Sequence, residues 1–127
     1  GDVGTYVLFW DRIAATDLPV VIDGACVSAC TLVLAAVEPD RICVTERASL
    51  GIHQAATRED GEARADPEVT KILQTTFYPP WLQQWIREWV AANGQLTLDV
   101  VYIYYDELSK HYRTCSVDES PIAGIEL

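Results

Sequence analysis

Gly24-Ala25-Cys26-Val27-Ser28-Ala29-Cys30-Thr31 is the stretch on which the fold turns, and it lies between two apolar runs. The run before it, Leu18-Pro19-Val20-Val21-Ile22-Asp23, is short, continuous and β-branched, as expected of a strand covered on both faces. The run after it, Thr31-Leu32-Val33-Leu34-Ala35-Ala36-Val37, reads as a helix from about Ser28 to Val37. That helix stops at Glu38-Pro39-Asp40, where proline cannot continue it. Ser28 thus stands at a strand-to-helix turn, near orphan backbone N–H groups and the positive end of a helix dipole. Such a position suits a nucleophile, and it equally suits an ordinary N-cap.

Outward from this turn, Arg41-Ile42-Cys43-Val44 reads as a second strand and Ala48-Ser49-Leu50-Gly51-Ile52-His53-Gln54 as a third. Gly51 allows close backbone approach in the latter. Towards the N-terminus, Val3, Tyr6, Val7, Trp10, Ile13 and Ala14 recur at three-and-four spacing, an amphipathic helix over 3–15 that Asp17-Leu18-Pro19 breaks. Alternating helices and strands imply right-handed crossovers, hence one α/β domain with a mostly parallel central sheet and flanking helices.

Further on, residues 57–66 carry the acidic cluster Arg58-Glu59-Asp60-Gly61-Glu62-Ala63-Arg64-Ala65-Asp66 and read as a polar, mobile loop. Asp66 caps a helix with Pro67 at its first position. Val69, Ile72, Leu73 and Phe77 are its apolar side, and Tyr78-Pro79-Pro80 ends it. The next helix bears Trp81, Trp85 and Trp89 at spacing four beside Leu82 and Ile86, and Asn93-Gly94 closes it. This stripe reads as core packing first, and as a subunit interface or substrate wall second. Residues 95–105 are β-rich and aromatic, 106–112 form one short helix, and Cys115 lies in the tail.

With 127 residues, half of them hydrophobic, the chain is long enough to bury one core and too apolar for disorder. It contains no apolar run of ~18 residues that would span a membrane. A net charge of −10 disfavours nucleic acid as a partner. No signal-peptide pattern opens the chain, as in a mature or trimmed exported protein. The four cysteines, Cys26, Cys30, Cys43 and Cys115, lack a Cys-x-x-Cys pair, and the two histidines are not at matching positions, so zinc fits poorly. They read as small buried hydrophobes or, preferably, as two disulfides of an exported protein. No phosphate-cradling glycine loop or credible ligand cluster appears, so neither metal nor other cofactor is expected.

Only two histidines can act as a base. His111, in Ser109-Lys110-His111-Tyr112, belongs to a polar, exposed run. His53 ends an apolar segment, where an imidazole needs a partner, whether as a structural residue or as a base. A serine nucleophile requires such a base within reach, and the base requires an orienting third group. Ser28 and His53 each follow a strand, and the carboxyl ends of neighbouring parallel strands gather at the edge that ligand sites favour.

Three segments together carry a resemblance: Gly24-Ala25-Cys26-Val27-Ser28-Ala29-Cys30, Arg41-Ile42-Cys43-Val44 and Ala48-Ser49-Leu50-Gly51-Ile52-His53-Gln54. They look like the nucleophile-to-histidine section of ClpP-type serine peptidases, of ClpP/crotonase-like fold, and especially of exported bacterial ClpP-like proteins with a Cys-x-Ser-Ala-Cys signature. The separation 53 − 28 = 25 agrees with it. It covers roughly residues 1–56, and the tail around Glu107-Leu108 more loosely. The resemblance implies Ser28 as nucleophile, His53 as general base and the Ala29 N–H as one oxyanion donor. The family's second donor comes from a Gly-Gly pair before the first helix. Gly1-Asp2-Val3 looks like the end of that segment, which places the first strand and the start of the oxyanion loop before Gly1.

The family's aspartate has no residue cleanly in register here. Asp99 is the best candidate and Asp106 the alternative, while Asp99 also reads as a surface residue of a turn started by Thr97. In this frame Cys26 and Cys30 bracket Ser28, close enough for a disulfide if the turn bends suitably, and Cys43 would pair with Cys115. Cys26–Cys43 with Cys30–Cys115, and Cys26–Cys115 with Cys30–Cys43, remain open. The resemblance implies a periplasmic or secreted bacterial serine hydrolase, most plainly a peptidase acting on a peptide or other acyl substrate and able to form a homo-oligomer. The alternative from another class is a catalytically degenerate domain of the same fold serving as a binding or assembly module.

Overall fold

The apolar runs flanking the Ser28 turn become strands, but not strands of one sheet. In the computed structural model, which describes residues 3–119, the chain forms two compact units. One contains residues up to Ile52 together with those from Tyr102 onward, and the other contains His53–Val101.

In the first unit, α1 (Val3–Ala14) leads to β1 (Val20–Ile22) and β2 (Ala25–Val27). A 3₁₀ turn (Ser28–Leu32) then runs into α2 (Val33–Ala36), and β3 (Ile42–Val44) and β4 (Ser49–Ile52) follow. β1 and β3 pair in parallel, Val20 opposite Ile42 through Ile22 opposite Val44, and all six side chains are buried. Burial of one such aliphatic side chain contributes roughly 1.5–3 kcal/mol, which anchors this short pair despite its three residues per strand. β2 and β4 also pair in parallel, with Ala25 opposite Ser49 and Val27 opposite Gly51.

The expected parallel pairing is therefore present, while the expected single central sheet is not. β1–β2 and β3–β4 each bend between two three-stranded sheets. Backbone bonds cross both bends: Thr45 N–H donates to Ile22 O and Ser49 N–H to Gly24 O, each at 3.0 Å. Asp23 fastens the same bends, accepting from Thr45 Oγ1 at 2.7 Å and from Arg47 Nη2 at 2.7 Å to each oxygen. The Arg47 guanidinium, aided by the Thr45 hydroxyl, holds the Asp23 carboxyl below its ordinary range. Arg47 is largely exposed, so this ion pair fixes geometry more than it adds stability.

α1 lies against the Ser28–Leu32 turn and α2, with Trp10 fully buried. Arg41 closes its end, donating from Nη1 to Ala14 O (2.9 Å) and from Nη2 to Ile13 O and Leu18 O (2.9 and 2.8 Å).

The second unit holds β5 (Ala56–Glu59), β6 (Glu62–Ala65), α3 (Pro67–Ile72), a π turn (Leu73–Phe77) and α4 (Pro80–Asn93). The expected mobile loop over 57–66 is instead the antiparallel hairpin β5–β6, in register from Ala56–Ala65 to Glu59–Glu62. Its two-residue turn is Asp60-Gly61, both at positive φ (53° and 80°), the geometry whose twist matches hairpin strands. Both faces of the hairpin are exposed, so no apolar alternation announced it.

α3 starts as expected, Asp66 accepting from the Val69 N–H at 3.2 Å with Pro67 at its first position. Its expected apolar side is not its buried side: Ile72 and Phe77 are exposed, and Thr70 is buried. On α4, Leu82 and Ile86 are buried while Trp81, Trp85 and Trp89 are only partly so. The tryptophan stripe therefore borders the core, and the aliphatic pair forms it. Gly94, at φ 89°, ends α4.

The chain continues as β7 (Val101–Tyr104), much shorter than the strand-rich stretch expected over 95–105, then α5 (Tyr105–Leu108) and β8 (Arg113–Thr114). β7 lies beside β4, and β8 pairs in parallel with β3. Among the described residues no helix is long and apolar enough to cross a membrane.

Candidate functional site

Ser28 directly follows β2 and opens the 3₁₀ turn, and its φ of 60° is left-handed. For a residue with a Cβ this conformation costs of order 1–3 kcal/mol and persists only where the surroundings over-determine it. Those surroundings are visible. Cys26 and Cys30 form a disulfide across the turn, with Cα atoms 5.3 Å apart. The buried Thr31 hydroxyl donates to the Ser28 carbonyl at 2.5 Å. Cys26, Ala29, Cys30 and Thr31 are all buried, while Ser28 itself is half-buried.

The N-cap reading of Ser28 does not describe this turn. The residue in the cap position is Val27, and no side chain closes the first turn. Among the described residues, none hydrogen-bonds the Ser28 hydroxyl, which leaves it open to accept or donate a proton. Ala29 follows directly, at the start of a helical segment whose first N–H groups have no intrahelical acceptor.

β2 and β4 lie side by side in parallel with Val27 opposite Gly51, so Ser28 and Ile52 leave the same edge of their sheet. His53 is the residue directly after β4 and the first of the second unit. The half-buried His53 ring places Nδ1 2.5 Å from the carbonyl oxygen of Gln54. A carbonyl can only accept, so this contact fits Nδ1 as the donor, which in a neutral imidazole leaves the lone pair on Nε2. That is the tautomer a serine's general base requires.

Asp99 and Asp106 are both exposed. Asp99 follows a bend in which its own N–H donates to Thr97 Oγ1 at 3.1 Å, the Thr97-started turn read from sequence. The Thr97 carbonyl accepts from the Gln54 N–H at 2.7 Å, which ties the Asp99 segment to the residue after His53. The ring's own hydrogen bond nevertheless goes to the Gln54 carbonyl and not to a carboxylate. Asp106 lies in the first turn of α5, in the first unit. His111 pairs with Glu107 through Nε2, 2.8 Å from Oε2, a helical i,i+4 contact. The proposed second oxyanion donor, Gly1, falls outside the described residues.

The other disulfide joins Cys43 to Cys115, one of the three pairings open from sequence, and staples β3 to the residue after β8. Glu119 packs against it: Oε2 lies 3.3 Å from the Cys43 sulfur, a contact without a proton because both sulfurs are oxidised. Arg113 binds this carboxylate with both Nη1 and Nη2, at 2.5 and 2.7 Å, and Ser116 N–H adds a bond at 2.8 Å. Arg113 first, then Ser116, pull its carboxyl down to about 2. Cys43, Cys115 and Glu119 also form a cluster of metal-ligand composition, their donor atoms within 4.8 Å of one another. With both sulfurs in a disulfide the cluster retains one carboxylate, already held by arginine, and does not fit a metal.

Two contributors were not anticipated: the Gln54 carbonyl and the buried Thr70 hydroxyl beneath it. Backbone groups leave no mark in a sequence, and Thr70 is a polar residue inside a helix read by its apolar positions. No known protein-family model matches the chain, and no curated protein matches it.

Proposed function

We propose that this chain is a serine hydrolase of ClpP/crotonase-like type, most concretely a peptidase, that works in an oxidising compartment such as the periplasm or the bacterial exterior. The observation that carries the reading is the Ser28 turn. A non-glycine residue held at positive φ directly after a parallel strand, with no hydrogen bond to its hydroxyl among the described residues, has the form of a nucleophile elbow. The two disulfides support the compartment.

In this reading Ser28 Oγ attacks the carbonyl carbon of a peptide or other acyl substrate, and its proton passes to His53 Nε2. The Ala29 N–H stabilises the oxyanion; a donor of this kind is worth ~10²–10³ in rate. Collapse of the tetrahedral intermediate expels the amine or alcohol, which takes the proton from Nε2. Water, deprotonated by the same nitrogen, then releases the acid and restores Ser28. The Gln54 carbonyl fixes the imidazole tautomer as a carboxylate would. It brings no full negative charge to the imidazolium, and hydrogen bonds to charged acceptors are roughly twice as strong. A slow hydrolase is the expected consequence. Assembly into a homo-oligomer, with the half-exposed tryptophans of α4 at its contact, belongs to the same proposal.

The same carbonyl favours one other reading, a binding or assembly module that kept the fold without a carboxylate behind its histidine. Labelling with a fluorophosphonate separates the two. The hydrolase reading expects covalent modification that is lost in Ser28→Ala and reduced at least ~10²-fold in His53→Ala. Modification that persists in Ser28→Ala, or is absent from the folded wild-type chain, leaves the module.

A further inference from the structure

The hydrogen bonds around Gln54 converge on a single buried hydroxyl. Thr70 Oγ1, on α3, donates to Asp66 O at 2.7 Å and accepts from the Ala55 N–H at 2.9 Å. The Gln54 side-chain oxygen Oε1 lies 3.2 Å from the same oxygen, a second acceptor for its proton. A hydroxyl has one proton and two lone pairs. The proton serves the nearer acceptor, Asp66 O. Gln54 Oε1, at 3.2 Å, takes the weaker share of the same proton. Gln54 is fixed independently on its backbone N–H, which donates to Thr97 O at 2.7 Å. Its remaining backbone group, the carbonyl, is the one that receives His53 Nδ1.

The segment after β4 is therefore held on both sides of the carbonyl that orients the imidazole. Thr97 holds Gln54, and Thr70 holds Ala55 and the Gln54 amide. All of these residues belong to the second unit. Thr70 is 8% exposed, a buried polar side chain off the apolar stripe read from sequence. A free imidazole in water prefers the Nε2–H form, so an Nδ1–H ring must be imposed by its surroundings.

We infer that Thr70 is the positioning residue of His53: through Ala55 and Gln54 it aims the Gln54 carbonyl at Nδ1 and so keeps the lone pair on Nε2. The orientation rests on this hydrogen-bond geometry, and its catalytic use rests on the hydrolase reading.

The test uses the full chain with ¹⁵N-labelled histidine and long-range ¹H–¹⁵N spectra, recorded well above the imidazole's titration so that the ring is neutral. His53 in the wild type is expected as Nδ1–H, and Thr70→Ser, which keeps the hydroxyl, is expected to match it. Thr70→Val and Thr70→Ala, checked for native near-UV circular dichroism, are expected to move His53 towards Nε2–H and to slow fluorophosphonate labelling several-fold. An Nε2–H ring in the wild type overturns the inference, as does an unchanged Nδ1–H ring in a folded Thr70→Val or Thr70→Ala. Loss of the fold in both variants overturns it too, since Thr70 then supports the unit as a whole and not the ring. The spectra decide the positioning role and the labelling decides the hydrolase reading, so the two can fail separately.

Discussion

The turn that carries Ser28 and the segment that carries His53 are restrained by different kinds of bond. Around Ser28 the restraint is mainly covalent and apolar: a disulfide spans the turn, its neighbours Cys26, Ala29 and Cys30 are buried, and one hydrogen bond from Thr31 is added. Around His53 it is a chain of hydrogen bonds ending in one threonine hydroxyl, next to a hairpin whose residues are all exposed. The difference follows from what each residue has to resist. Ser28 is held in a backbone conformation that its side chain disfavours, and the disulfide across its turn is a constraint that does not break with thermal motion. The His53 backbone carries no such strain. Its ring needs a defined proton position, and a hydrogen bond to a carbonyl supplies that.

The largest effect is expected from the disulfides themselves. With a sequence separation of 72, the Cys43–Cys115 bond restricts the unfolded chain by about 4 kcal/mol in the loop-entropy description, against about 2 kcal/mol for Cys26–Cys30 with a separation of 4. Urea unfolding of the Cys43→Ala/Cys115→Ala and Cys26→Ala/Cys30→Ala variants should show this order. Fluorophosphonate labelling should show the reverse, the short bridge mattering more because it clamps the turn that holds Ser28. Equal labelling in the two variants would remove the distinction between a global and a local staple.

A smaller effect isolates the strain. Ser28→Gly and Ser28→Ala both lack the hydroxyl, but glycine accepts a φ of 60° without penalty. Ser28→Gly should be more stable than Ser28→Ala by about 1 kcal/mol, once the extra flexibility of glycine in the unfolded chain is set against the relief. Equal thermal midpoints would mean that the turn is unstrained.

The smallest effect is on the response to acid. The carboxyl of Glu119 sits at about 2 in the folded chain against an ordinary 4.5. A depressed folded value stabilises the protein above the unfolded value, and the contribution disappears as pH falls from about 4.5 towards 2. Glu119→Gln should flatten that part of the stability–pH curve by lowering stability above about pH 4.5, modestly because Arg113 is exposed, and leave the acid end unchanged. An unchanged slope over that part of the curve, in urea midpoints measured against pH, would show that the Arg113–Glu119 pair does not form in solution.

Much of the chain is legible without coordinates because local chemistry dictates it. Three β-branched residues in a row at 20–22 have no way to satisfy a helix face and form a buried strand. Asp66-Pro67 starts a helix by a cap that needs only its own neighbours, and Gly94 ends one by a φ that only glycine adopts freely. The β5–β6 hairpin had a local signal as well, the Asp60-Gly61 pair, but its charged, two-sided exposure resembled a loop.

What the sequence by itself determined was the strand–turn–helix around Ser28, the parallel pairing of the strands beside it and the presence of four oxidisable sulfurs. Only the tertiary structure decided that the strands bend into two small sheets, since that depends on backbone bonds between residues about twenty positions apart, such as Thr45 to Ile22. It likewise selected Cys26–Cys30 and Cys43–Cys115, the pairing set out first from sequence, over the two others left open, because proximity in space is not encoded in spacing along the chain. The same holds at His53. Its hydrogen-bond partner is a backbone carbonyl, and every residue has one. Only the folded arrangement of Thr70, Thr97 and Gln54 singles out which carbonyl faces the ring.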